Sequence, residues 1–129
     1  MIRLFDVNYH DTYRDNYLAK VNYVDDQNYF AGFDMEQSCY ESADHWIEDS
    51  KGNKVEPNTY NGCWYYLQFT GELPTEDEVC DYDTYRVRIP LKHDRDNEPY
   101  YLVFENCHNG YYAHGYEFGR MEIEKDGSL

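Results

Sequence analysis

The sequence predicts an α+β domain, an antiparallel sheet of about six strands with one short helix packed on a face. Apolar and polar residues alternate with period two over Tyr17–Val24 and Tyr85–Leu91, the pattern of a strand with one buried face. Ser38–Glu48 combines a capping-box pair, Ser38 and Glu41, with Ala43, Trp46 and Ile47 at helical spacing. Turn clusters such as Asp25-Asp26-Gln27-Asn28 separate runs of strand length. The 129 residues fit one domain, 1–129.

Taken in order, Ile2–Val7 reads as a first strand and Asn8–Asn16 as a loop. Tyr17–Val24 sets Tyr17, Ala19, Val21 and Tyr23 on one face, with Lys20 and Asn22 on the other, and Tyr29–Phe33 returns as the second arm of a hairpin. The helix over Ser38–Glu48 is short and must be held by packing. Cys63–Phe69 is apolar on both faces and reads as one central strand. Gly71–Asp83 reads as an acidic loop with a helical turn starting after Pro74. Tyr85, Val87, Ile89 and Leu91 point inward from the next strand, Arg86 and Arg88 outward. Lys92–Glu98 is a polar hairpin loop. Tyr100–Glu105 and Tyr111–Phe118 pair around Asn109-Gly110, a dipeptide suited to the positive φ angles of a type I′ turn. Gly119 bends the chain before Met121–Glu124, and the closing KDGSL reads as frayed.

Sixteen Tyr, six Phe and two Trp carry the apolar content, and at 19% aromatic the chain can bury a core despite a mean hydropathy of -0.96. The net charge is -15, from 26 acids against 11 bases. Nucleic-acid binding rests on Lys and Arg neutralising phosphates, so DNA, RNA and anionic membranes are poor partners. A basic surface on a protein or ribonucleoprotein complex is favoured instead, including one that normally holds nucleic acid. Carboxylates in a row can imitate duplex phosphates, and Glu72, Glu76, Asp77, Glu78, Asp81 and Asp83, with Asp25 and Asp26, are the candidates. The bland alternative is a solvated acidic face.

Cys39, Cys63, Cys80 and Cys107 form no CxxC pair, and MIRLFDVNYH lacks the apolar stretch of a signal peptide. The chain therefore reads as cytosolic with reduced thiols, although an even count also allows two disulfides. Cys107, His108, Asn109, Gly110 and His114 bring reactive side chains close in sequence. Cys107, His108, His114 and Cys39 are chemically suitable zinc ligands, but their spacing matches no zinc signature. A Cys/His nucleophile would need a stabilised thiolate, which nearby carboxylates oppose. The bland reading has His108 and Asn109 stabilising a turn and His114 stacked among Tyr112, Tyr116 and Phe118. No phosphate-binding loop, nucleophile elbow or metalloprotease motif occurs, and no cofactor is expected.

CHNGYYAHGYEF following YYLVFEN, with the earlier EQSCYESADHWI, resembles a motif pair of small phage and prophage proteins. The matching positions are Cys39, Glu41, Trp46, Asn106–Tyr112, His114, Gly115 and Phe118, and the likeness spans about a quarter of the chain. Where some relatives carry adjacent cysteines, this chain has Cys39-Tyr40. The resemblance implies a phage-encoded protein acting in bacterial cytoplasm. The leading expectation is an acidic, non-enzymatic inhibitor of a host nucleic-acid-handling defence complex, of the anti-CRISPR or anti-restriction kind. The alternatives are a metal- or nucleotide-dependent enzyme or sensor using Cys107, His108 and His114, or an immunity protein masking a basic toxin.

Overall fold

A computed structural model describes residues 1–11, 16–36, 41–79, 84–108 and 113–129, with backbone alone at 6–11, 16–19 and 78–79. The described residues hold eleven strands and no helix: β1 Ile2–Asp11, β2 Asn16–Val24, β3 Tyr29–Asp34, β4 Ser42–Glu48, β5 Cys63–Trp64, β6 Leu67–Phe69, β7 Thr75–Val79, β8 Thr84–His93, β9 Asp96–Cys107, β10 Gly115–Arg120 and β11 Glu122–Ser128. They form two antiparallel sheets, one of order β11-β10-β3-β2-β1-β5 and one of order β4-β9-β8-β6, with β7 also paired to β8. The protein is all-β, which corrects the α+β expectation.

The period-two readings hold where side chains are described. Val21 and Tyr23 are buried while Lys20 and Asn22 lie on the other face, and Val87, Ile89 and Leu91 enter the core with Arg86 and Arg88 outside. The turn at residues 25–28 closes as expected. Asp25 Oδ1 accepts the N–H groups of Gln27 and Tyr29, and Asn28 takes φ 69°, a left-handed value that Asn tolerates better than most residues.

The expected helix at 38–48 is strand β4, paired with β9 from Ser42↔Cys107 to Glu48↔Tyr101. Ser38 of the capping box lies outside the described residues. Ala43 and Ile47 face the core, as does His45, which shares a 2.5 Å hydrogen bond with the Tyr23 hydroxyl. A histidine at 45 among the inward positions leaves the period of two without a fully apolar face. A helix this short is marginal in water, and the ladder offered by β9 outweighs it.

Five further expectations change. The loop expected over Asn8–Asn16 is strand at both ends, with Asn8–Asp11 in β1 paired to Asn16–Ala19 of β2. The stretch 63–69 is two strands in different sheets. Trp64 pairs with Ile2, the chain turns at Tyr65-Tyr66, and Leu67 pairs with His93. The acidic loop carries strand β7, antiparallel to residues 84–88 of β8. The supposed hairpin partners β9 and β10 belong to different sheets, and Asn109 and Gly110 lie outside the described residues. The tail is strand β11, and Leu129 beyond it is buried, exchanging two 2.8 Å backbone hydrogen bonds with His114.

The sheets pack face to face. Phe33 of one stacks on Phe104 of the other at 4.8 Å between ring centroids, and Phe69 meets Phe118 at 5.8 Å. Ile2, Ala31, Val87, Ile89 and Leu102 complete the interior at zero exposure. The outer face of the smaller sheet is covered by charge and rings. Val103 points outward between its cross-strand neighbours Arg88 and Trp46, yet is fully buried. Lys54 and Arg86 lie over the Trp46 ring at 4.8 and 5.5 Å, Arg86 Nε donates to Glu105 at 2.8 Å, and Arg88 sits 3.4 Å from Asp77 and 3.6 Å from Glu48. Arginine and lysine stems thus shield an apolar side chain that a sheet face would otherwise expose.

Candidate functional site

The C-terminal motif divides between two surroundings. Cys107 is exposed and its sulfur accepts a 3.7 Å contact from the Thr84 hydroxyl. His108, one residue on, is buried and stacks on Tyr85 at 4.6 Å. His114 is buried against Phe33; its Nδ1 lies 2.5 Å from the Asp34 carbonyl and its Nε2 3.9 Å from the buried Glu41 carboxylate. Asn106, fully buried beside them, donates to the Leu129 carbonyl at 3.0 Å. These are contacts of a polar joint where the crossover meets the end of the chain. Period two sends the side chains of Cys107 and His108 to opposite faces, so adjacency in sequence does not become adjacency in space. Cys63 and Cys107 are thiols, and Cys39, Cys80, Asn109 and Gly110 lie outside the described residues. Among the described residues no group of three or more His, Cys, Asp or Glu is placed to hold a metal ion.

The acidic candidates are likewise distributed. Asp25 is buried, and its Oδ2 accepts the Phe69 N–H at 3.2 Å in addition to the turn contacts of Oδ1. It ties the β2–β3 turn to β6 and is not a surface charge. Asp26 is exposed. On β7, Glu76 accepts a hydrogen bond from the Tyr116 hydroxyl of the other sheet, whereas Asp77 turns outward to Arg88. Strand alternation therefore splits what looked like one row. Glu78 has its backbone in β7, and Asp81 and Asp83 lie outside the described residues.

Burial, followed by the bond to Glu76, pushes the Tyr116 phenol far above the usual tyrosine range. A raised folded value means this contribution is complete below the unfolded value near ~10 and lost as pH rises through the folded one. Unfolding free energy should therefore fall above pH ~10, and Tyr116→Phe should flatten that limb by up to about 1.4 kcal/mol per pH unit. Urea unfolding between neutral and alkaline pH checks this, and superimposable limbs would refute it.

Of the acidic candidates whose side chains are described, Glu72 lines a cleft. Two clefts adjoin at the β8–β9 turn and share His93 and Tyr100. The smaller, about 160 Å³, has a floor of Val55, Trp64 and Leu67, a wall of Tyr66, His93 and Tyr100, and a rim carrying Asp49, Glu56 and Asn58. The larger, about 490 Å³, is lined by Glu72, Asp96 and Glu98 with Lys92, Pro90 and Tyr101 among its other walls. The wall is a stack: Arg95 lies 4.2 Å over Tyr66, Tyr66 meets His93 at 5.5 Å, and His93 stacks on Tyr100 at 5.3 Å. The Tyr100 hydroxyl donates to Asp96 at 2.8 Å and the Glu98 N–H at 2.6 Å. The Glu98 N–H and then the Tyr100 hydroxyl hold the Asp96 carboxyl below its usual range, and the same bond raises the Tyr100 phenol. Asp96 accordingly keeps its charge into acid. Fixed rings with unneutralised carboxylates at their margin suit cationic, hydrogen-bond-donating ligands.

Apart from Glu72, sequence reasoning missed this site. Its residues come from 49–58, 64–67, 70–72 and 90–101, and the available signal was the aromatic-acidic run around His93, read there as a plain hairpin loop. A third depression of about 470 Å³ lies on the outer face of the larger sheet over Gly32, Gly115 and Gly127. There Lys20 reaches across Gly32 to Glu117 at 2.5 Å, so its one base is already engaged.

A scan against protein-family models matches none, and searches of curated proteins and of solved structures likewise find no match. Among the described residues no helix is long and apolar enough to cross a membrane.

Proposed function

We propose that this protein binds a basic protein surface through the end of the molecule at the β8–β9 turn, and by covering that surface inhibits a nucleic-acid-handling complex. The observation that carries this is the pair of adjoining clefts, walled by Tyr66, His93 and Tyr100 and edged by Asp49, Glu56, Glu72, Asp96 and Glu98. Many of the bases are already engaged within the fold. Lys20, Arg86 and Arg88 meet carboxylates, and Lys54, Arg95 and Arg120 lie over aromatic rings. The excess negative charge is left for a partner, where it would speed encounter and make binding salt-sensitive. The reading requires no nucleic acid, membrane or cofactor. The resemblance to phage proteins makes bacterial CRISPR and restriction complexes the first targets to try.

The test is capture of partners from nuclease-treated bacterial lysate, by wild type and by the triple variant Glu72→Gln, Asp96→Asn, Glu98→Gln. A nucleic-acid-handling protein should be held at low salt, released towards physiological salt, and lost from the variant, and its activity should fall when the protein is added. Capture indifferent to both salt and the variant would refute the reading.

A further inference from the structure

We infer that the smaller cleft is the seat of a single arginine side chain supplied by the partner protein. The inference rests on the reading of the β8–β9 end as the partner-binding surface and gives that surface its specificity.

Size comes first. A space of about 160 Å³ holds one side chain rather than a ring-bearing cofactor. The floor of Val55, Trp64 and Leu67 is apolar and suits an aliphatic stem. Charge comes next. Among the described residues the ionisable groups lining the cleft are Asp49, Glu56, Tyr66, Tyr100 and His93, and the nearest base of its wall, Arg95, is held over the Tyr66 ring. Two of the donors that an anionic or carbonyl ligand could use are engaged within the fold. The Trp64 indole N–H donates to the Val55 carbonyl at 2.9 Å and the Tyr100 hydroxyl to Asp96. Asp49 Oδ1 accepts the N–H groups of Lys51 and Asn53 at 2.9 and 3.0 Å, which fixes that carboxylate at the rim.

The choice of arginine over lysine follows from the wall. A guanidinium is planar, stacks on ring faces and forks to carboxylates, whereas an ammonium is a compact, strongly hydrated point charge. The protein already uses the first chemistry at this wall, where Arg95 lies over Tyr66. A second guanidinium entering the cleft would meet the same kind of ring surface, with Asp49 and Glu56 to receive its N–H groups.

The test is an NMR titration of the intact protein with the capped tripeptide Gly-Arg-Gly, against its citrulline and lysine counterparts. Citrulline keeps the shape and removes the charge. The two tryptophans give two indole N–H peaks; Trp46→Phe, on the outer sheet face, identifies the Trp64 peak lining the cleft. The arginine peptide should move the Trp64 peak to saturation, and the citrulline and lysine peptides should bind at least about tenfold more weakly. The double variant Asp49→Asn, Glu56→Gln keeps an amide oxygen at the first position to cap the turn, and should lose at least about tenfold for the arginine peptide. No movement of the Trp64 peak, equal binding of arginine and citrulline, or indifference to the double variant would overturn the inference, and equal binding of lysine would overturn the choice of arginine. The partner capture above uses carboxylates of the larger cleft. Salt-sensitive capture with no peptide response would sink this inference alone, and a peptide response with no captured partner would sink the functional reading alone.

Discussion

Phe104→Ala is expected to cost about 3–5 kcal/mol of folding stability, the range for emptying a phenylalanine site in a close-packed core. Phe104 is fully buried on β9 and joins the sheets, stacked on Phe33 at 4.8 Å and tilted against Tyr23 at 6.1 Å. Its neighbours sit on paired strands and cannot collapse into the space without breaking register. Because total stabilities run near ~5–15 kcal/mol, the variant should unfold at far lower denaturant or fail to accumulate. Chemical denaturation followed by aromatic circular dichroism measures it. A loss below about 1 kcal/mol would mean that the sheets do not meet through this ring.

Gly119→Ala should be nearly as damaging for the opposite reason. The strand register shifts at Phe118/Gly119, and the β11 backbone closes over the glycine. A methyl group there would stand 1.8 Å from the Glu122 carbonyl oxygen and 2.9 Å from the Ile123 Cα. Both atoms are backbone, so no rotamer change relieves the clash, and β10 and β11 must part. The expected loss is at or above the upper end of the ~1–3 kcal/mol usual for overpacking. Hydrogen exchange should show fast-exchanging amides throughout β11, while an unchanged unfolding midpoint would show that the bulge yields freely.

Much of the strand content was legible, and its assembly was not. The hairpin of β2 and β3 could be read because Val21 and Tyr23 alternate with Lys20 and Asn22 up to a clear turn. β8 could be read because Arg86 and Arg88 punctuate a run of Val and Ile. β4 failed because Ala43, Trp46 and Ile47 fit a helix face as well as a strand once His45 is counted as polar. The partition into two sheets has no local signal. Residues 63–69 look like one strand, and only the separate pairings of Trp64 with β1 and Leu67 with β8 show that the chain changes sheet at Tyr65-Tyr66. The candidate site depends on that change, because it sets Trp64 and Tyr66 beside His93 and Tyr100. Chemistry that is adjacent in sequence, Cys107 and His108, was visible but diverges in space.

The pairing of β3 with β10 has a consequence for how the molecule is made. Phe33 lies opposite Tyr116, about eighty residues later, and β4 likewise finds β9 only after the middle of the chain has been synthesised. Contacts of such long sequence separation make folding slow. Synthesised before β10, β1 to β3 present an unpaired strand edge with apolar residues behind it, an invitation to associate with another copy. A chain carrying -15 charges repels its copies during that interval. The acidity proposed to draw a basic partner to the finished protein also keeps half-built sheets apart.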